Sequence, residues 1–104
     1  MTVIRMLEQH GTLTGFEVKG HAGAGTEGND LVCAAISFLA TTCANALEEV
    51  AGKKPLIKQG EAYLKAELPL KDISVPATVI LRTFYRGAKD LLEAHPEHVS
   101  LIDK

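Results

Sequence analysis

Tryptophan is absent from this 104-residue chain, cysteine occurs only twice, and neither sign of charge dominates. Eleven Lys and Arg stand against 13 Asp and Glu, a formal net charge of −2, which argues against the basic footprint of a nucleic-acid-binding surface. No direct nucleic-acid partner is expected. Long hydrophobic runs are also missing. The opening stretch MTVIRMLEQHGTLTG has Arg5 and Glu8 inside its apolar part, so no signal-peptide core can be drawn there. The longest apolar region, Leu31 to Ala40, is interrupted by Ser37 and falls short of the ~18 residues of a membrane span. A cytoplasmic protein with no membrane partner is therefore expected. Cys33 and Cys43 lie on what reads as one helix, about 15 Å apart at ~1.5 Å per residue, too far for a disulfide. Two thiols are expected instead.

What is there suits a globular protein: 46% of the residues are hydrophobic and no segment is low in complexity. The length fits one domain over residues 1–104, large enough to bury a core without disulfides.

Thr2 to Glu8 alternates around Val3, Ile4, Met6 and Leu7, and Leu13 to Lys19 follows a Gln9-His10-Gly11-Thr12 turn signal, which predicts an antiparallel hairpin. Asp30 then offers an N-cap. Val32, Ile36, Leu39, Cys43, Leu47 and Val50 recur at helical steps, and Gly52 with Pro55 beyond it ends that helix. Leu56 to Lys58 and Ala62 to Leu68 bracket Gln59-Gly60-Glu61, a second hairpin with one wet face. Cap candidates in Asp72 to Ser74 and Pro76 near the first position open a second helix striped by Ile80, Phe84, Ala88 and Leu91. That helix should end before Pro96, leaving Val99 to Ile102 for a last strand. Gly87 costs this helix about 1 kcal/mol relative to Ala, which a close approach to the first helix or the sheet would offset. The predicted order is ββαββαβ, an α+β fold with a mainly antiparallel sheet packed with two helices.

The chemistry concentrates in GHAGAGTEGNDLVCAAIS, residues 20 to 37. Gly23-Ala24-Gly25-Thr26-Glu27-Gly28 satisfies G-x-G-x-x-G, the pattern of a dinucleotide loop. Two features weigh against that use: Asp30 at the cap would repel a phosphate, and the preceding strand belongs to an antiparallel hairpin rather than a parallel βαβ unit. With Asp30 as N-cap, Cys33 falls in the first helical turn, where the macrodipole and uncommitted N–H groups favour a thiolate. The bland alternative is a small hydrophobe among alanines. His21, at the far end of the glycine-rich connection, could fold back and take the thiol proton. Asp30 either caps the helix or holds His21 in one tautomer. Ser37, one turn beyond Cys33 on the same face, bonds either the catalytic groups or, by default, the Cys33 carbonyl. Cys43 belongs to the apolar stripe. His95 and His98 form an H-x-x-H pair broken by Pro96 without a third ligand, and His10 has no visible partner, so no metal or cofactor is expected.

Gly20-His21-Ala22, followed by Gly28, Asp30, Val32, Cys33 and Ala34, resembles the signature of the bacterial ribosomal-processing cysteine protease family, Prp. The likeness extends over essentially the whole chain, in length, element order and the alanine-rich helix after the motif. It implies a cysteine protease that removes an N-terminal extension from a large-subunit ribosomal protein precursor. In that likeness Cys33 is the nucleophile and His21 the general base, with Asp30 and Ser37 as further positions near the site. The glycine-rich loop, with Gly23, Gly25 and Gly28, matches a mobile substrate-binding segment, and the family resemblance implies a homodimer. A noncatalytic, ribosome-associated module that binds a peptide or plays a regulatory part is the alternative on the same fold.

Overall fold

A computed structural model describes residues 1–20 and 27–103, with the backbone alone at 27–30. The elements are β1 (Thr2–Gln9), β2 (Thr12–Lys19), α1 (Glu27–Glu49), β3 (Leu56–Gly60), β4 (Tyr63–Glu67), a 3-10 turn (Leu70–Asp72), α2 (Val75–Ala94) and β5 (Val99–Ile102). This is the expected ββαββαβ order.

The first hairpin closes through His10 and Gly11, both at positive φ (52° and 78°), with Gln9 opposite Thr12. Two consecutive left-handed residues make the turn whose twist matches that of the flanking strands. The strands are ordered β3-β4-β2-β1-β5, antiparallel except for β1 and β5, which run parallel with Thr2 opposite Val99. A parallel neighbour requires a crossover, and α2 leads the chain back over the sheet to β5.

One face of the sheet carries Ile4, Met6, Phe16, Val18 and Ala66, all buried. The other carries Arg5, Glu17 and Lys65 in one cross-strand row, with Arg5 Nε 3.7 Å from Glu17 Oε1 and the Tyr63 hydroxyl donating to Glu17 Oε2 at 2.6 Å. Apolar residues alternating with a charged row place both helices on one side, giving two layers. The layers lock where Phe84 of α2 stacks on Phe16 of β2, with ring centroids 3.8 Å apart and planes 11° from parallel. The helices meet at Gly87, where an added Cβ would stand 2.8 Å from Leu39 Cδ2, so the expected close approach is to the first helix.

At α2 the cap is Ser74, whose Oγ accepts from the Ala77 N–H at 3.3 Å, and the helix stops at Ala94 before Pro96. The start of α1 differs from expectation. The helix begins at Glu27, so Asp30 lies within its first turn rather than at the cap, and Gly28 belongs to the helix rather than to the loop. Carboxylates inside the first turn satisfy the helix dipole as a capping carboxylate does, so the sequence signal fits either start. The inward stripe differs too. Ala40 and Ala44 are buried with Val32, Ile36, Cys43 and Leu47, whereas Val50 lies past the last helical residue and is 71% exposed. Over Leu31–Glu49 this helix is long and apolar enough to cross a membrane by length and composition, a longer stretch than the one ending at Ala40. Its buried stripe serves here as part of the domain core, together with that of α2.

Candidate active site

A cavity of about 410 Å³ opens between α1 and the end of the sheet where β2 finishes. Cys33, Ile36 and Ser37 form its helical wall, Val18 and Leu64 its floor, and Gln59 and Gly60 its outer margin. The helical repeat brings Cys33 and Ser37 to one face, as expected, and both reach this cavity. Cys33 is half-buried and packs against the core, while Ser37 is exposed. The second thiol, Cys43, is 6% exposed, and burial pushes its pKa above the ordinary cysteine value. Both cysteines are thiols.

Because α1 begins at Glu27, Cys33 comes six positions after the first helical residue (33 − 27 = 6) instead of in the first turn. The backbone N–H groups without intrahelical acceptors end at residue 29 in a helix that starts at Glu27, so Cys33 lies beyond the uncommitted donors on which its expected placement relied.

The far end of β2 is fixed tightly beside the cavity. Gly20 has φ +91°, and a Cβ there would approach the Met1 carbonyl oxygen to 2.9 Å. Its N–H donates to the Ala62 carbonyl at 2.8 Å, and its own carbonyl accepts from the Thr2 hydroxyl at 3.3 Å. Glycine alone combines this left-handed backbone with that close contact. The chain thus leaves the sheet from a determined point at the rim. His21, Gly23 and Gly25 lie outside the described residues, and Gly28 and Asp30 are placed only by their backbone in the first turn of α1.

Thr2, Gln59, Gly60 and Tyr63 were not among the site residues expected from sequence, yet all line the cavity. Nothing in their local pattern marks them, because they arrive through strand pairing between distant segments. A larger cavity of about 510 Å³ lies beside Tyr85, Lys89 and Asp103 and has neither cysteine in its wall. No group of three or more metal-ligating side chains occurs among the described residues. His95 instead closes α2, donating its N–H to the Leu91 carbonyl, and His98 stands beside Glu97 at 3.7 Å. The dinucleotide reading lacks the parallel setting it needs, as expected: β2 is antiparallel to both its neighbours.

Fold and cleft together define a small two-layer α+β protein with a thiol in the wall of an open cavity. The model of the family described as cysteine protease Prp matches residues 1–100. The ribosomal processing cysteine protease Prp of Bacillus subtilis (strain 168) is 38% identical over 68 residues, a match covering 64% of this chain and 60% of that relative's length. A crystal structure from Streptococcus mutans superposes with a TM-score of 0.88 at 30% identity, covering 100% of this chain and 96% of that one. The ribosomal processing protease Prp from S. aureus, in complex with a covalently linked product peptide, gives a TM-score of 0.86 at 23% identity with both chains fully covered. The chain belongs to the cysteine protease Prp family.

Proposed function

We propose that this protein is a cysteine endopeptidase that removes the N-terminal extension of a large-subunit ribosomal protein precursor. The observation that carries the reading is the half-buried thiol of Cys33 in the wall of a cavity of about 410 Å³, in a chain of this family. In support, the Bacillus subtilis relative bears the name of a ribosomal processing protease, and the S. aureus relative binds a covalently linked product peptide.

In this reading Cys33 is the nucleophile. His21 accepts its proton, and the thiolate adds to the carbonyl carbon of the scissile bond. The tetrahedral oxyanion takes hydrogen bonds from backbone N–H groups at the start of α1. As the C–N bond breaks, His21 returns the proton to the leaving amine, and a thioester remains on Cys33. Water then adds to the thioester with His21 as base, releasing the acid and restoring the thiol. Asp30 orients His21, and Ser37 supports the site from the next turn. Gly23 and Gly25 belong to a segment that closes over the bound peptide, since glycine makes such rearrangement sterically easy. The protein acts in the cytoplasm as a homodimer, on a protein substrate, without cofactor, nucleic acid or membrane.

The test is incubation with a peptide spanning the N-terminus of the same organism's ribosomal protein, beside a Cys33→Ala control, with products read by mass spectrometry. Cleavage at one bond by the parent alone is expected. Cleavage by Cys33→Ala at the parent rate would remove Cys33 from its role. No cleavage by the parent, with its thiol intact and an extension present in the peptide, would favour the noncatalytic module.

A further inference from the structure

The outer strand of the sheet leads straight into the thiol-bearing cavity. β3 is bonded to β4 on one side and is the last strand of the sheet on the other. All five of its residues are exposed, including Leu56 at 69% and Ile57 at 41%. Such an edge presents a row of backbone N–H and C=O groups to any incoming extended chain.

Register shows which way its side chains face. Ile57 pairs with Ala66 and Gln59 with Leu64, and these pair in turn with Phe16 and Val18 on the helix-bearing face. Ile57 and Gln59 therefore belong to that face, and Leu56, Lys58 and Gly60 to the opposite one. Among the described residues the helices leave Ile57 41% exposed at this margin of the sheet. The edge ends at Gln59 and Gly60, which line the same cavity as Cys33.

We propose that an extended stretch of the substrate adds to the free edge of β3 as a sixth strand and delivers the residues that follow into the cavity beside Cys33. This rests on the protease reading, and the continuity of edge and cavity is what names the occupant. Leu56 to Gln59 extends roughly 13 Å at ~3.3 Å per residue, enough to pair about four residues on one side of the scissile bond. Backbone pairing supplies affinity that tolerates sequence, and selectivity comes from alternate side chains, as in other strand-addition complexes. Every second residue of the paired stretch shares the face of Ile57 and Gln59, and the one beside Ile57 is apolar in the preferred substrate. Proline is excluded where the peptide N–H bonds the edge.

Alternation provides the test. A set of peptides spanning the N-terminus of the ribosomal protein, each N-methylated at one successive position, is titrated against the Cys33→Ala variant, and hydrogen exchange of residues 56–60 is followed. Strand addition predicts slowed exchange in β3 and affinity losses of about five- to tenfold at every second methylated position, the worth of one backbone hydrogen bond. Binding without β3 protection, or losses without the two-residue period, would overturn it. Cleavage of the unmodified peptide by the parent is scored separately. Cleavage without the periodic pattern sinks strand addition and leaves the protease, and the periodic pattern without cleavage does the reverse. Neither signal overturns both.

Discussion

Cys33 and Cys43 share one helix yet meet different surroundings: Cys33 lines an open cavity, whereas Cys43 is 6% exposed within the core. Burial raises the Cys43 pKa, which lowers its thiolate fraction near neutral pH in addition to limiting access. Iodoacetamide should therefore modify Cys33 at least about tenfold faster than Cys43 in the native protein. Peptide mapping at timed intervals measures both rates. Comparable rates, in protein shown by circular dichroism to be folded, would contradict the placement of the two thiols.

Gly15 is where β2 passes closest to β4. A Cβ there would run into the Ala66 carbonyl oxygen and stand 2.8 Å from Glu67 Cα, both backbone atoms that cannot swing away. The register of β1 and β2 also shifts nearby, between Leu7 and Glu8. Gly15→Ala should cost about 2–3 kcal/mol, near the upper end for overpacking, because relief requires separating two paired strands. Urea unfolding checks this, and a midpoint equal to that of the parent would refute it.

Phe84 is fully buried and stacks on Phe16, joining α2 to the centre of the sheet. Phe84→Ala should lower stability by about 3–5 kcal/mol through lost burial and the cavity left behind. Phe84→Leu, which retains most of the volume, should cost less. The ordering of the two midpoints in one denaturant series is the decisive comparison.

Two tyrosines link alkaline pH to stability. The Tyr63 hydroxyl donates to Glu17 and that of Tyr85 to Asp103, and each phenol has its pKa raised, first by that hydrogen bond, then by desolvation and the neighbouring negative charge. The folded state thus holds these protons more tightly than the unfolded chain, whose tyrosines titrate near 10. The resulting stabilisation is complete below that value and disappears as pH rises through the folded-state values. Thermal midpoints should fall above about pH 10. The tyrosinate absorbance of the folded protein should develop at higher pH than that of the unfolded chain, and the Tyr63→Phe/Tyr85→Phe variant should lose most of that difference.

Much of the fold is legible in the chain because its signals are local. The turn at His10-Gly11, the Ser74 cap with Pro76 following, and the stop before Pro96 each depend on residues a few positions apart, and each is found where expected. The start of α1 is not legible in the same way, because Glu27 and Asp30 are equally compatible with a helix beginning at either place. The inward stripe of α1 was only partly legible, since Ala40 and Ala44 inside are indistinguishable in type from Ala34 and Ala35 outside.

By itself the sequence determined the element order, the place of Cys43 in the buried apolar stripe, and the resemblance that the family model bears out. Periodicity and short motifs carry that information. Tertiary structure alone decided that Thr2, Gly20, Gln59 and Gly60 meet Cys33 and Ser37 around one cavity, and that β3 is the outer strand of the sheet among the described residues. Strand pairing unites segments tens of residues apart, and the pairing order follows from which faces can be buried together, a property of the whole chain that no local stretch contains.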